Sequence, residues 1–380
     1  MPPFRHWAEL PPDLLCRVGD VLDLKYYSSA RGACTAWRCA LARPTPSLLL
    51  VLGDATSAAS LLTRRSFELK AIPAGARCVG SSNGWIALSF RVDDGHSIFS
   101  LFNPVTATKI VLPPLFYGRS PLSKLVFSPN PARDDFAAAA ICDVDMLAYV
   151  TAGARRWAIL GPVRLAVGDR LADVVYHEKG KVHTPGAASA SVPAISVRQA
   201  KQHPYMLFSR SVGPDLNAPA TVSPLLCLPS ATNFAWPYSK VSLYTSAKNL
   251  VFVKGNLYQI WRNMGGTVTL CPSRDGYLRL AEDEVFVLRY YPRRQPCWVV
   301  VTDLGGYSVF LGTNNAVSMY AEDVPGLKGN CVYWIGGRGR DQGMVFDMAT
   351  GSSAACLPAA AAGVPKRTIC WYFLKDVMNK

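Results

Sequence analysis

Charged residues are scarce in this chain, at 17% of 380 residues, while half of the residues are hydrophobic. That balance excludes the high-charge, low-hydrophobicity composition of a disordered chain and leaves enough apolar material for a sizeable interior. Histidine is rarer still, with five in all. His177 and His183 flank an expected turn, but no Asp or Cys stands at ligand spacing and only Glu178 is adjacent, so chance placement is the reading adopted and no metal site is expected. The eleven cysteines include no CxxC pair and their number is odd. This argues against a disulfide framework and against a structural zinc site, and leaves most of them as buried small apolar groups of an intracellular protein. An apolar leader is lacking too, because Met1 to Pro12 carries prolines, charges and a tryptophan where a signal peptide has its apolar region. SLLLVL is far shorter than the ~20 residues that span a bilayer, and FAAAAICDVDMLAYV is broken by Asp143 and Asp145. The expectation is a protein of the nucleus or cytoplasm with no membrane contact.

Catalytic signatures are missing as well. GxSxG, HExxH, GxxxxGK[ST] and GxGxxG have no convincing instance, and GRGRDQG is a loop between two strands with no following helix to cradle a phosphate. The acidic groups Asp134-Asp135, Asp143 with Asp145, and Glu282-Asp283-Glu284 read as turns rather than as acid–base pairs. No catalytic residue and no cofactor is expected, and a propeller-fold hydrolase is the alternative.

What the chain has in excess is positive charge, a formal +14. The basic residues come as scattered pairs, Arg64-Arg65, Arg155-Arg156, Arg293-Arg294 and Lys366-Arg367, without the stripe of a nucleic-acid-binding face. No nucleic acid is expected as partner.

The length exceeds what one core usually fills, so a small domain plus a large one is the simplest partition. Residues 1–45 read as helical. Pro11 and Pro12 suit a helix entry, Asp13 complements the dipole, and Leu14, Leu15, Val18, Val21 and Leu22 gather in one arc of about 120° at the helical period. Tyr27, Ala30, Cys34, Trp37 and Leu41 recur at intervals of three and four, and Thr35 is a candidate cap for a break between two short helices. Arg43-Pro44-Thr45-Pro46 ends the helical region. So short a unit needs either the large domain or a partner to be stable, and periodicity leaves both open. Residues 46–66, with DATSAAS in the middle, read as a linker, and 67–380 as the large domain.

The large domain changes to short apolar runs bounded by Gly, Pro, Asn and Asp, the mark of many strands. LVFVKGNLYQIW reads as a hairpin turning at Lys254-Gly255-Asn256, and VVYHEKGKVH as another around Gly180. FNPVTATKIVLP and FDMATGSSAACLP echo each other from opposite ends, which suggests blades around an axis closed by TICWYFL. The expected fold is mainly β, an irregular Kelch-like propeller of six or seven blades behind three helices. A β-sandwich pair is the runner-up.

Two resemblances sharpen this reading. Trp7, Leu10, Pro11, Asp13, Leu14, Leu15, Val18 and Leu22, followed by Arg31 and Cys34-x-x-Trp37-Arg38, resemble an F-box. The resemblance implies an adaptor that binds the Skp linker, and through it a cullin, in an SCF-type ubiquitin ligase. It assigns Leu10, Pro11, Leu14, Leu15, Val18 and Trp37 to that contact or its support. SSNGWIAL with LFNPVTATKIVLPP, KLVFSPNP, DVVYHEKGKVHT, and LGGYSVFLGTNNAVSMYAEDVPGLKGNCVYWIG with GMVFDMATG resemble plant F-box proteins with a KIB-type propeller. In such a protein the propeller would bind an unidentified protein target for ubiquitination. Aromatic and arginine side chains are common interface anchors, so Phe234, Trp236 and Tyr238, with Arg338, Arg340 and the neighbouring Asp341, are the candidate target-binding loop residues. Packing of the aromatics beneath their own loop is the competing reading.

Overall fold

The computed structural model describes residues 7–41, 45–52, 55–63, 66–91, 97–115, 124–143, 146–160, 170–177, 205–211, 234–245, 247–273, 276–291, 294–336, 342–356 and 367–374. Three helices come first: α1 (Pro12–Val21), α2 (Leu24–Ala33) and α3 (Thr35–Ala40). Pro12 opens α1, where a missing backbone donor costs nothing. Asp23 caps α2 by accepting the Tyr26 N–H at 2.9 Å. The break before α3 falls at Cys34, whose extended backbone (φ −160°) takes the cap position expected for Thr35, and no side chain caps it. Arg31 is buried and donates from Nη1 to the carbonyls of Arg38 and Leu41, which fastens α2 to the end of α3.

The strands follow at once. β1 (Ser47–Leu52), β2 (Ala55–Ser60) and β3 (Ser66–Leu69) form the first blade; β4 (Arg77–Ser82), β5 (Trp85–Arg91), β6 (Ser97–Asn103) and β7 (Thr108–Val111) the second; β8 (Lys124–Phe127), β9 (Ala137–Asp143), β10 (Met146–Thr151) and β11 (Ala158–Leu160) the third. β12 (Arg170–His177) and β13 (Tyr205–Ser211) make a two-stranded sheet. After helix α4 (Tyr238–Tyr244) come β14 (Ala247–Val253) and β15 (Asn256–Arg262), then a hairpin of β16 (Val268–Ser273) and β17 (Gly276–Leu280), then β18 (Val285–Tyr290) and β19 (Trp298–Val300). β14, β15, β18 and β19 are the fourth blade. β20 (Tyr307–Leu311), β21 (Val317–Tyr320), β22 (Cys331–Ile335), β23 (Gly343–Asp347) and β24 (Ser352–Ala355) are the fifth, with β20 and β22 parallel. The last strand, β25 (Arg367–Tyr372), returns to pair antiparallel with β1, so both ends of the β-rich chain lie in one blade.

The sheets stand in a ring. β4 lies against β25 and β8, β12 lies between β8 and β14, β14 meets β20 and β21, and β22 meets β25. An apolar cluster fills each junction; Leu125, Phe127 and Ala138 join Val79 and Phe99 between the second and third blades, and Leu48, Phe310 and Trp371 meet between the fifth and first. The fold is a mainly-β propeller, and among the described residues five blades of four or five strands are complete. Six or seven blades are expected from the sequence; the described residues show five, with the two-stranded sheet of β12 and β13 standing between the third and the fourth. LVFVKGNLYQIW, EVFVLRYY and CWVVVTD all lie in the fourth blade, because β16 and β17 are an insertion between paired neighbours.

Two further expectations are corrected. Residues 46–66 are no linker, since they hold β1 and β2. Leu48, Leu49 and Leu50 are buried on successive positions because both faces of β1 are covered, and the small side chains of ATSAAS are what a tightly faced strand accommodates. Within VVYHEKGKVH, the strand ending at His177 pairs with Tyr205–Ser211; residues 178–204, with Gly180 and His183, lie outside the described residues. The Lys254-Gly255 turn is two residues long with both φ positive (49° and 74°), and Asn256 already belongs to β15.

Candidate functional site

The N-terminal helices touch the propeller through α2. Leu24 is buried in the cluster shared by the first two blades, and the Tyr27 ring lies 6.4 Å from that of Phe67 on β3. α1 sits further out, over a cavity of about 310 Å³ lined by its Cys16 and Asp20, by Leu24 and Tyr27, and by Phe67 and Tyr372 of the first blade.

That arrangement splits the residues expected at the docking face. Leu14 is 45% exposed and Pro11 is exposed; Leu10, Val18 and Trp37 are half-buried. Leu15 is buried, on the side of α1 where Gly19, one turn on, faces Leu41 and Tyr27. Leu14, Val18 and Val21 fall on one stripe at 100° per residue, and Val21 is 83% exposed. Trp7 and Tyr26 are each 58% exposed, and Trp7 is tied in place where its carbonyl accepts the Trp37 Nε1–H at 3.2 Å. Four of the eight large exposed hydrophobics among the described residues thus lie in the first 26 positions, a concentration that scattered surface residues do not show. Val21, Trp7 and Tyr26 are surface positions that the sequence reading did not assign. Val21 was legible as the residue two turns beyond Leu14.

On the propeller, the expected loop aromatics divide. Phe234 packs edge-on against Trp261 at 4.7 Å and stacks on Trp298 at 6.3 Å, and Tyr238 meets Phe286 at 5.9 Å. Of the three, only Trp236, at 61% exposure, stands open to solvent. Arg338, Arg340 and Asp341 lie outside the described residues.

The axis is crossed by the loop after β20. The Asn315 N–H donates to the Ser81 carbonyl at 2.9 Å on the second blade, while its Oδ1 accepts the Tyr176 N–H at 2.9 Å on β12. One residue, through its backbone on one side and its side chain on the other, therefore links strands from separate parts of the ring. In the Glu282-Asp283-Glu284 group two side chains have local partners: Asp283 lies 3.8 Å from Arg262, and Glu284 Oε2 accepts the Ala281 N–H. Burial pulls the Arg262 guanidinium down to about 10, with Asp283 opposing. Among the described residues no three His, Cys, Asp or Glu side chains gather to hold a metal, and no helix is long and apolar enough to cross a membrane.

No curated protein matches the chain significantly. The profile of the KIB1-4 beta-propeller matches residues 58–366, which begins inside β2 and runs to the last residue before β25. With a ring of blades closed by its own last strand and a family match over most of its length, the chain belongs to the KIB1-4 beta-propeller family.

Proposed function

We propose that this protein is the substrate-recognition adaptor of an SCF-type ubiquitin ligase. Its N-terminal helices act as an F-box that binds a Skp-type linker and, through it, a cullin, while the propeller holds a protein target. The observation that carries the reading is the stripe Leu14, Val18 and Val21, left open on α1 while α2 does the anchoring. A helix unit attached by one face keeps another for a partner, and each leucine or valine fully buried there contributes about 1.5–3 kcal/mol. The chain needs no catalytic residue of its own, since holding a target beside the transferring subunits raises its effective concentration. Nuclear or cytoplasmic residence goes with that role. The competing reading, a propeller that works through an axial pocket outside a ligase, has to contend with Asn315 across the axis.

The test is co-purification of the full chain with a Skp linker. Leu14→Asp with Val21→Asp should abolish recovery while the melting temperature stays put, because both side chains face solvent. Recovery equal to wild type would remove the reading. Leu15→Asp is unsuited, since it places a carboxylate in the interior of the helical unit.

A further inference from the structure

One end of the fourth blade carries two arginines that pair with no carboxylate among the described residues. Tyr258 on β15 stands opposite Arg289 on β18, so the Lys254-Gly255 turn and the 291–297 loop leave the blade at the same end. There the Arg289 guanidinium lies 5.9 Å from the Tyr258 ring centroid and 4.9 Å from that of Tyr291. Arg294, which is exposed, stands 4.3 Å from the same Tyr291 ring. Two cations share one ring, so they are no further apart than the sum of those two distances.

Three cations among the described residues have carboxylate partners: Lys124 with Asp173, Arg262 with Asp283, and Lys328 with Asp347. Arg289 instead donates from Nη2 to Asn256 Oδ1 at 2.9 Å, and its Nε is shielded from water without a partner. Among the described residues neither Arg289 nor Arg294 has an ion pair. Asp303 acts on the Tyr258 phenol by its charge, and its Oδ1 already accepts the Gly305 N–H at 2.9 Å. Lys254, exposed on the adjacent turn, adds a third positive charge to this end of the blade.

Like charges held together without a counter-ion repel, and stacking on tyrosine is what fixes them. The same stacking removes much of the side-chain freedom that a binding event otherwise has to freeze. The exposed Arg294 guanidinium presents a fork of donors matched to a carboxylate, while half-buried Arg289, with Nη2 on Asn256 and Nε shielded, offers its remaining Nη hydrogens. Two separately anchored cations ask for two anions, and neighbouring acidic side chains of one segment supply them at a fixed spacing. We propose that this end of the fourth blade docks an acidic segment of a partner protein, its carboxylates on Arg289 and Arg294 and its backbone over Tyr291. The inference rests on the propeller half of the proposed function and is independent of the helical face.

The sequence carried a trace of this surface. Arg289-Tyr290-Tyr291-Pro292-Arg293-Arg294 interleaves basic and aromatic residues, of which charge pairing alone marks only Arg293-Arg294.

The experiment measures fluorescence anisotropy of a labelled peptide alternating glutamate and alanine, titrated with the full chain at low salt. Wild type should bind, and Arg289→Gln with Arg294→Gln should weaken binding by about tenfold or more, the scale expected for two charge-assisted hydrogen-bonded contacts. Arg155→Gln with Arg156→Gln, an exposed pair on the turn before β11, removes the same charge elsewhere and should change affinity less than about twofold. Equal weakening by both double variants would reduce the effect to net charge and overturn the proposal. So would failure of wild type to bind, or binding of a phosphoserine–alanine peptide alone. If the double variant does not fold, Arg294→Gln, on an exposed side chain, carries the same test. The readout involves no linker, so its failure leaves the helical docking reading standing, and the reverse holds.

Discussion

Lys124 Nζ lies 2.5 Å from Asp173 Oδ1, with the two side chains only 7% and 0% exposed. The same carboxylate accepts the Val174 N–H at 2.9 Å and, through Oδ2, the Leu250 N–H at 2.8 Å. One anion therefore joins the third blade, the two-stranded sheet and the fourth blade at the place where the ring has its smallest sheet. Removing one partner of a buried pair leaves the other charged and dry, which costs about 3–5 kcal/mol. Lys124→Met should lower the unfolding free energy by that amount, read from the urea midpoint and slope. Asp173→Asn should cost as much, because Lys124 is then the uncompensated buried charge, and an amide whose oxygen serves Leu250 turns its NH2 toward the Lys124 and Val174 donors.

Gly19 is a test of packing against propensity. Alanine at a helix-interior glycine is favoured by up to ~1 kcal/mol. Here its Cβ would stand 2.4 Å from Leu41 Cδ2 and 3.2 Å from Tyr27 Cε2, both buried residues. Overpacking costs about 1–3 kcal/mol, so Gly19→Ala should lower the melting temperature. Gly32→Ala on α2, where an added Cβ meets nothing within 4 Å, should raise it slightly.

These cases show which parts of the fold could be read from residues alone. The echo of FNPVTATKIVLP in FDMATGSSAACLP was legible because it is turn chemistry: Asn103 Oδ1 accepts the Val105 N–H and Asp347 Oδ1 the Ala349 N–H, each at 2.9 Å, at the outer hairpin of a blade. The α1 stripe was legible because its period is local. ATSAAS was not, since small side chains mark a loop and a closely faced strand equally well. Neither the parallel pairing of β20 with β22 nor the reach of Asn315 across the axis leaves a local pattern, because both depend on partners far along the chain. On α1, spacing placed Leu14 and Leu15 together, and only the packing of α3 separates the exposed residue from the buried one.

Alkaline pH should unfold the propeller from its closing strand. Burial holds the phenols of Tyr372 and Tyr333 far above the ordinary 10.0, and the Cys370 thiol well above 9.0. The folded chain thus binds these protons more tightly than the unfolded one. Their contribution is complete below the unfolded values and is lost as pH rises past them. Stability should hold to about pH 9 and fall from pH 10 upward, with tyrosinate absorbance of these rings appearing only on unfolding. Tyr372→Phe should make the decline shallower. At neutral pH it should cost about 1–3 kcal/mol, because the Gly84 carbonyl loses the hydroxyl that donates to it at 3.0 Å.

Phe234 and Trp236 are two residues apart and should respond oppositely. Phe234 is half-buried against Trp261 and Trp298, so Phe234→Ala opens an aromatic cluster and should cost about 2–3 kcal/mol, below the range for a fully buried ring. Trp236 stands 61% exposed, and its replacement by alanine should shift stability by less than about 0.5 kcal/mol. A loss of target capture with Phe234→Ala would therefore report on folding, whereas the same loss with Trp236→Ala would report on the surface. Proximity labelling by the full chain and by the Trp236→Ala variant, each with its melting curve, separates the two. If the loop belongs to the target surface, the variant keeps the melting temperature and loses labelled proteins while retaining the linker. An unchanged set of labelled proteins would confine Trp236 to the solvent side of its own loop.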